Sequence, residues 1–265
     1  MKQLLRLTVL GTRGSMAACR SDCRIFGGDT SCYMVQAGDE TIFLDGGSGI
    51  TTAPAIYPKP PVILLSHVHL DHIMGLGMFT GFFVPGQHAR IYVPDCEDKK
   101  EAEQRLDQVF SPPTWPLKLS QLEGKPEILP MLQSFSVGRI RVDTQEGNHP
   151  NGAVVIRLSC EGASIVYATD YEYSEESFAR LARFAAGTDL ILYDAQYTED
   201  EYVYSRGFGH STPDRGIELL HKSGAGRMLL VHHSPSVSDD ILFMRENQIN
   251  HPRVSFARQG EEIIL

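Results

Sequence analysis

Pro61-Val62-Ile63-Leu64-Leu65-Ser66-His67-Val68-His69-Leu70-Asp71-His72 is the stretch that decides how this chain is read. Its first half is short, apolar and carries β-branched residues, which predicts a buried strand. Four side chains able to hold a metal, His67, His69, Asp71 and His72, then fall within six residues. In an extended turn, residues i and i+2 point to the same side, so His67 and His69 can converge on one ion. Asp71 and His72 face another direction and can hold a second. Ile73 to Phe79 reads as the first turns of a helix. A lone His beside a strand is ordinarily packed or solvated. Three His and an Asp crowded together cost stability through desolvation unless a cation offsets it.

Composition bounds the rest. The chain has 265 residues, 42% hydrophobic and 22% charged, which suits one domain over residues 1–265 with a full core. A net charge of −9 makes it a poor partner for a long nucleic-acid backbone. Five cysteines, Cys19, Cys23, Cys32, Cys96 and Cys160, do not form a disulfide framework in a chain this long and fit a reducing, cytoplasmic compartment. The loose spacing of Cys19 and Cys23 favours free thiols over structural zinc. Met1 to Leu10 is read as leading into a first strand, Leu4 to Leu10, and not as a signal peptide. No stretch has the length of a membrane span.

Outward from the opening stretch, Thr30 to Gln36 and Glu40 to Leu44 flank Ala37-Gly38-Asp39 as a hairpin. Asp45, just past the second strand, is either a turn-forming residue or one that lines a site. Asp95 to Phe110 reads as a helix capped by Asp95. Ser111 to Pro116 cannot be regular, and its Trp115 is either a wall over the site or a partly buried aromatic in a surface loop. Phe135 to Val142, Ala153 to Leu158 and Ala163 to Ala168 read as strands, with His149 in the turn between the first two. Helices are expected over Ser174 to Phe184, capped by Ser174, over Thr212 to Ser223, with Pro213 in the first turn, and over Ser236 to Gln248. Asp189 to Tyr193 and Arg227 to Val231 are further strands. The first half alternates hairpins and strands; the second alternates strand and helix. His67, Asp170, Asp194 and His232 each follow an apolar strand, and ligands gather at strand carboxyl ends in open α/β sheets.

H-x-H-x-D-H after a buried strand resembles the signature of the metallo-β-lactamase superfamily of metallohydrolases. The resemblance implies an α/β fold, a four-layer αβ/βα sandwich of two mixed β-sheets flanked by helices. It assigns His67, His69 and His149 to one metal, and Asp71, His72 and His232 to another, with Asp170 bridging; His233 is the second choice for the last ligand. Imidazole and carboxylate ligands suit Zn²⁺ first, and also Mn²⁺ or Fe. Two such cations lower the pKa of a shared water, making hydroxide available near neutral pH, and neutralise oxygens on an electrophile such as phosphate.

Gly209-His210-Ser211-Thr212 is similar to segments in the phosphodiesterase branch of the superfamily, which includes the ribonuclease that trims tRNA 3′ ends. Asp194 matches the carboxylate that orients that histidine, and a His so held is a sound acid for a leaving oxygen. Asp71, His210 and Asp194 are therefore the catalytic candidates. The bacterial tRNA enzymes carry an arm between the bridging Asp and the last His, and here that interval is filled by strand and helix signals. Gly27 to Cys32 and His232-His233-Ser234-Pro235 fit the small phosphodiesterases best. The expected substrate is a small phosphodiester, nucleotide-like or cyclic, stacked near Phe82, Phe83 or Trp115. Rival readings are an RNA-processing ribonuclease, an ester, thioester or lactam hydrolase, a di-iron redox protein, and a non-catalytic binding role. A homodimer is implied by resemblance alone.

Overall fold

The computed structural model describes residues 5–265. Leu4, where the first strand is expected to begin, lies outside the described residues. Two seven-stranded sheets face each other. The first contains β1 (Arg6–Gly11), β2 (Cys32–Ala37), β3 (Glu40–Leu44), β4 (Val62–Leu64), β5 (Arg90–Val93) and β6 (Glu127–Pro130). The second contains β7 (Ser134–Val137), β8 (Ile140–Glu146), β9 (Val154–Cys160), β10 (Ala163–Ala168), β11 (Leu190–Asp194), β12 (Arg227–Val231) and β13 (Val254–Phe256). The last strand, β14 (Glu262–Ile264), returns to pair with β1 and completes the first sheet. Both sheets are mixed: β1–β2–β3 and β7 to β10 run antiparallel, while β3 to β6 and β10 to β13 run parallel.

The helices are α1 (Leu70–Ile73), α2 (Lys99–Asp107), α3 (Glu175–Phe184), α4 (Glu199–Ser205), α5 (Pro213–Ser223) and α6 (Asp239–Ile249). Of these, α2 packs on the outer face of the first sheet and α3, α5 and α6 on that of the second, which gives the expected αβ/βα sandwich. The strands read as continuous apolar runs because both of their faces are buried. Along β11, Leu190 and Leu192 enter the core between the sheets, whereas Ile191 and Tyr193 join the cluster under α3 and α5. Along β4, Val62 and Leu64 face the inter-sheet core, and Ile63 faces the other way, toward Ala102 and Leu106 of α2. Parallel pairing of β10, β11 and β12 brings their carboxyl ends to the same rim of the sandwich.

Several local expectations change. The helix expected over Ile73 to Phe79 stops after Ile73 and gives way to short 3₁₀ turns. Gly75 and Gly77 interrupt it because each sits against a close neighbour: a Cβ on Gly75 would lie 2.1 Å from the carbonyl oxygen of Gly47, and one on Gly77 would lie 2.4 Å from the Trp115 ring. Trp115 thus packs on Gly77 and Phe110 in the outer cluster, as the partly buried aromatic of a surface loop and not as a wall over the site. Phe82 is fully buried in that same cluster, so it has no face to offer a substrate. Asp98, not Asp95, caps α2 by accepting from the Glu101 N–H; Asp95 takes a left-handed backbone, φ 53°. Phe135 to Val142 is a hairpin and not one strand, because Gly138 turns the chain at φ 56°. The edge strand β6 and helix α4 carry no strong apolar period and escape a reading by pattern. Ser174 caps α3 as expected; α5 opens at Pro213, with Thr212 standing before it as its cap and not as its first residue. No helix among the described residues is long and apolar enough to cross a membrane.

Candidate metal centre

The ends of β4, β10, β11 and β12 and the loop after β8 meet at one rim. Asp194 and His210 form one group with Asp170 and His232, and seven side chains converge there in two other overlapping groups: His67, His69, His149 and Asp170, and Asp71, His72 and His232, which also reaches Asp170. Asp170 divides its carboxylate between them. Its Oδ1 lies 3.2 Å from Nε2 of both His72 and His232. Its Oδ2 lies 3.6 Å from Nε2 of His67 and 3.8 Å from Nε2 of His149. One oxygen per group is the disposition of a carboxylate shared by two cations.

The donor set fits such ions. The Nε2 atoms of His72 and His232 stand 3.3 Å apart, and those lone pairs need a proton or a cation between them. His67 Nε2 is buried with no hydrogen-bond partner, facing Asp170. Asp45, Asp71, Asp170 and Asp194 are all less than 10% exposed, a concentration of buried negative charge that calls for compensation. Burial alone would raise the Asp170 pKa, but the rings of His232, His72 and His67 outweigh it and hold the carboxyl well below its usual range. Asp71 behaves alike: burial opposes ionisation, and His72 and His232 overcome it. His67, His69 and His149 are pushed down first by burial, so their rings favour the neutral form a metal requires.

Ring orientation comes from neighbours. His72 Nδ1 is 2.6 Å from Asp45 Oδ2, which fixes its Nε2 toward the cluster. Asp45 is itself fastened by the Ser66 N–H at 2.6 Å, the Ser66 hydroxyl at 2.8 Å and the Tyr167 hydroxyl at 2.7 Å. Neither sequence-based reading of Asp45 foresaw this supporting role, and Tyr167 carried no signal beyond strand composition. The Ser66 hydroxyl also meets His67 Nδ1 at 3.0 Å, and His149 Nδ1 meets the Gly209 carbonyl at 2.9 Å. Ser15, a turn residue with no signal of its own in the sequence, donates its N–H to Asp71 Oδ2 at 2.6 Å.

The backbone is strained where it delivers these groups. Asp45, Asp170 and His232 all hold left-handed φ values, 62°, 49° and 61°. Gly14 lets the His232 ring in, since a Cβ there would lie 2.1 Å from Cε1. Of the two adjacent histidines, His232 reaches the cluster. His233 turns back, meets the Ala257 carbonyl at 2.9 Å and packs on Phe26 and Phe256, and burial lowers its pKa to about 3.

His210 sits beside this cluster, its ring stacked on His232 at 4.8 Å. Its Nδ1 is 2.8 Å from Asp194 Oδ2. The other oxygen of Asp194 accepts from the N–H groups of Gln196 and Ser211, both at 3.1 Å. Burial disfavours the charged ring, but Asp194 outweighs it and lifts the His210 pKa to about 9. The cysteines take no part: all five are free thiols, and none joins a metal-type cluster among the described residues.

Two facing mixed sheets with a histidine–carboxylate cluster on one rim define a hydrolase of the metallo-β-lactamase fold. The chain belongs to the family described as the beta-lactamase superfamily domain, which matches residues 29–233. It is 24% identical over 266 residues to the "Probable metallo-hydrolase YhfI" of Bacillus subtilis, covering 97% of this chain and 98% of the relative. The crystal structure of YhfI superposes with a TM-score of 0.78 over 100% of both chains at 20% identity. A diphosphatase from the PhnP family superposes at 0.73, with 18% identity, over 100% of this chain and 98% of the other. Ribonuclease Z of Prochlorococcus marinus is 29% identical over 131 residues, 49% of this chain and 39% of that enzyme.

Proposed function

We propose that this hydrolase cleaves a small phosphodiester, nucleotide-like or cyclic, with two divalent cations, Zn²⁺ foremost. His67, His69 and His149 would hold one ion, Asp71, His72 and His232 the other, and Asp170 both. Bound there, the cations supply Lewis acidity toward phosphoryl oxygens and lower the pKa of water. The chain's own contribution to bond cleavage is the proton. Asp194 holds His210 through Nδ1, leaving Nε2 to protonate the departing oxygen. Asp71, anchored by the Ser15 N–H, keeps its carboxylate ionised beside His72 and His232.

The observation that carries the choice of bond is the 2.8 Å Asp194–His210 pair stacked against the cluster. A phosphodiester's alkoxide leaving group is served by such an acid, whereas a thioester's thiolate needs none and the lactam hydrolases of the resembled superfamily do not need this pair. The names of the ribonuclease Z relatives and of the PhnP-family neighbour also point to phosphoryl chemistry. A cytoplasmic setting is part of the same reading and is supported by five free thiols; a homodimer rests on the resemblance alone.

The second reading, an RNA-processing ribonuclease, is favoured by the ribonuclease Z relatives. Against it stand the net charge of −9 and the interval from Asp170 to His232, which is filled by α3, β11, α4, α5 and β12. The test is metal analysis and the absorption spectrum of the protein as purified, followed by turnover of bis(p-nitrophenyl) phosphate, cyclic nucleotides, cyclic phosphates and short RNA by that protein and by its zinc- or manganese-loaded form. Turnover of the small diesters supports the proposal. Cleavage of RNA alone supports the second reading. Iron with a diferric spectrum and no turnover would replace both with a redox role.

A further inference from the structure

Glu172 lies two residues beyond Asp170 and is assigned no part in the chemistry above. Its carboxylate nevertheless gathers three donors from one segment. Oε1 accepts from the Gly207 N–H at 2.6 Å and the Tyr202 hydroxyl at 3.0 Å; Oε2 accepts from the Gly209 N–H at 3.0 Å. Its backbone is equally engaged. The Glu172 N–H donates to the Asn148 carbonyl at 2.8 Å, and the Asn148 side chain returns a 2.8 Å bond to the Glu172 carbonyl.

The segment so held bears directly on the site. Gly209 offers its carbonyl to His149 Nδ1 at 2.9 Å, and the next residue is His210. Gly207 and Gly209 adopt φ values of 88° and 89°, a backbone that glycine leaves intrinsically loose. The approach is close as well: a Cβ on Gly209 would lie 1.9 Å from His149 Nδ1. A permissive glycine loop that must present a carbonyl to one histidine and an imidazole to a phosphoryl group needs an external anchor. A carboxylate accepting backbone N–H groups is a strong one.

We propose that Glu172 is a positioning residue. By clamping Gly207 and Gly209 it keeps the Gly209 carbonyl on His149, which fixes that ring with Nε2 toward His67, His69 and Asp170, and it keeps His210 on Asp194. Loss of the clamp then has two signatures. The His67–His69–His149 group binds its ion more weakly, because the partner that orients one ring is loosened. Proton delivery by His210 also suffers, and that loss grows with the basicity of the leaving group.

The inference rests on the hydrolase reading, and the experiment separates the two. Wild type, Glu172→Ala and Glu172→Gln are stripped of metal and titrated with Co²⁺ and Zn²⁺ against a chromophoric chelator. The same proteins are assayed on bis(p-nitrophenyl) phosphate and on diphenyl phosphate, whose leaving group is more basic. For Glu172→Ala one of the two metal affinities falls roughly 10–100-fold while the other is kept, the Co²⁺ absorption changes, and kcat falls further for diphenyl phosphate than for the nitrophenyl ester. Glu172→Gln keeps the shape and one acceptor oxygen, turns an amide toward a donor, and shows the same pattern at smaller size. A purely structural clamp would lower the melting temperature and leave the Co²⁺ spectrum and the leaving-group dependence untouched; that result in either variant overturns the proposal. Absence of turnover in wild type rejects the phosphodiester reading, while the metal titration still decides the role of Glu172.

Discussion

Asp45 and His72, 27 positions apart, are joined by a 2.6 Å hydrogen bond that fixes the imidazole with Nε2 toward Asp71, Asp170 and His232. A carboxylate behind a ligating histidine sets its tautomer and raises its basicity. Asp45→Ala should therefore weaken the ion at Asp71, His72 and His232 by roughly 10–100-fold. It also strands the Ser66 N–H and the Tyr167 hydroxyl in a buried setting. Metal content after gel filtration, with Zn²⁺ titration of the stripped protein, checks this; two tightly held ions in the variant would refute it.

Asp71 and His210 separate binding from proton transfer. Asp71→Ala should lose both turnover and metal. His210→Ala should keep its metal and lose about 100-fold or more in turnover of a diester with a basic leaving group. Elemental analysis alongside kcat distinguishes the two variants. Unchanged turnover of diphenyl phosphate by His210→Ala would remove the acid role.

The pH profile follows from the same pair. Asp194 lifts His210 to about 9, and the protonated ring is the active form. Activity therefore falls as pH rises through that pKa. Two cations nearby would lower the value by repulsion, so the alkaline limb is expected at or below about pH 9. The limb should be present in wild type acting on diphenyl phosphate and lost in His210→Ala.

Gly14 is read as a steric requirement. A Cβ placed 2.1 Å from Cε1 of His232 must displace the ring or the backbone. Gly14→Ala should cost about 1–3 kcal/mol and weaken metal binding at the same time. Denaturant unfolding with and without added Zn²⁺ measures both, and wild-type values in each would contradict the packing.

Chelation should destabilise the fold, because the buried carboxylates lose their counter-charge. Binding at a hundredfold excess over Kd contributes about 2.7 kcal/mol. For a chain of this size, the loss of one ion corresponds to a melting temperature lower by roughly 5–10 °C on treatment with a chelator, and the loss of both to about twice that. Calorimetric scans of loaded and stripped protein provide the comparison, and coincident transitions would argue against ions at this rim.

The sandwich, and His149, Asp170 and His232 as ligands, were legible only through the resemblance of the motif to a known superfamily; the sequence by itself determined the α/β alternation and the first four candidate ligands. Both depend on short-range order: the strand–turn spacing of His67, His69, Asp71 and His72, and apolar runs long enough to bury two strand faces. The cap at Ser174 and the helix start at Pro213 were legible for the same reason. Only the tertiary structure decided how Asp170 divides its oxygens, that His232 and not His233 turns inward, and that Asp45, Tyr167 and Ser15 stand behind the cluster. It also moved Phe82 and Trp115 out of the site and into packing. These outcomes depend on contacts between residues as much as 161 positions apart and on left-handed backbone at single residues. No local pattern encodes them, because side-chain direction at a strand end is set by what the facing sheet leaves room for.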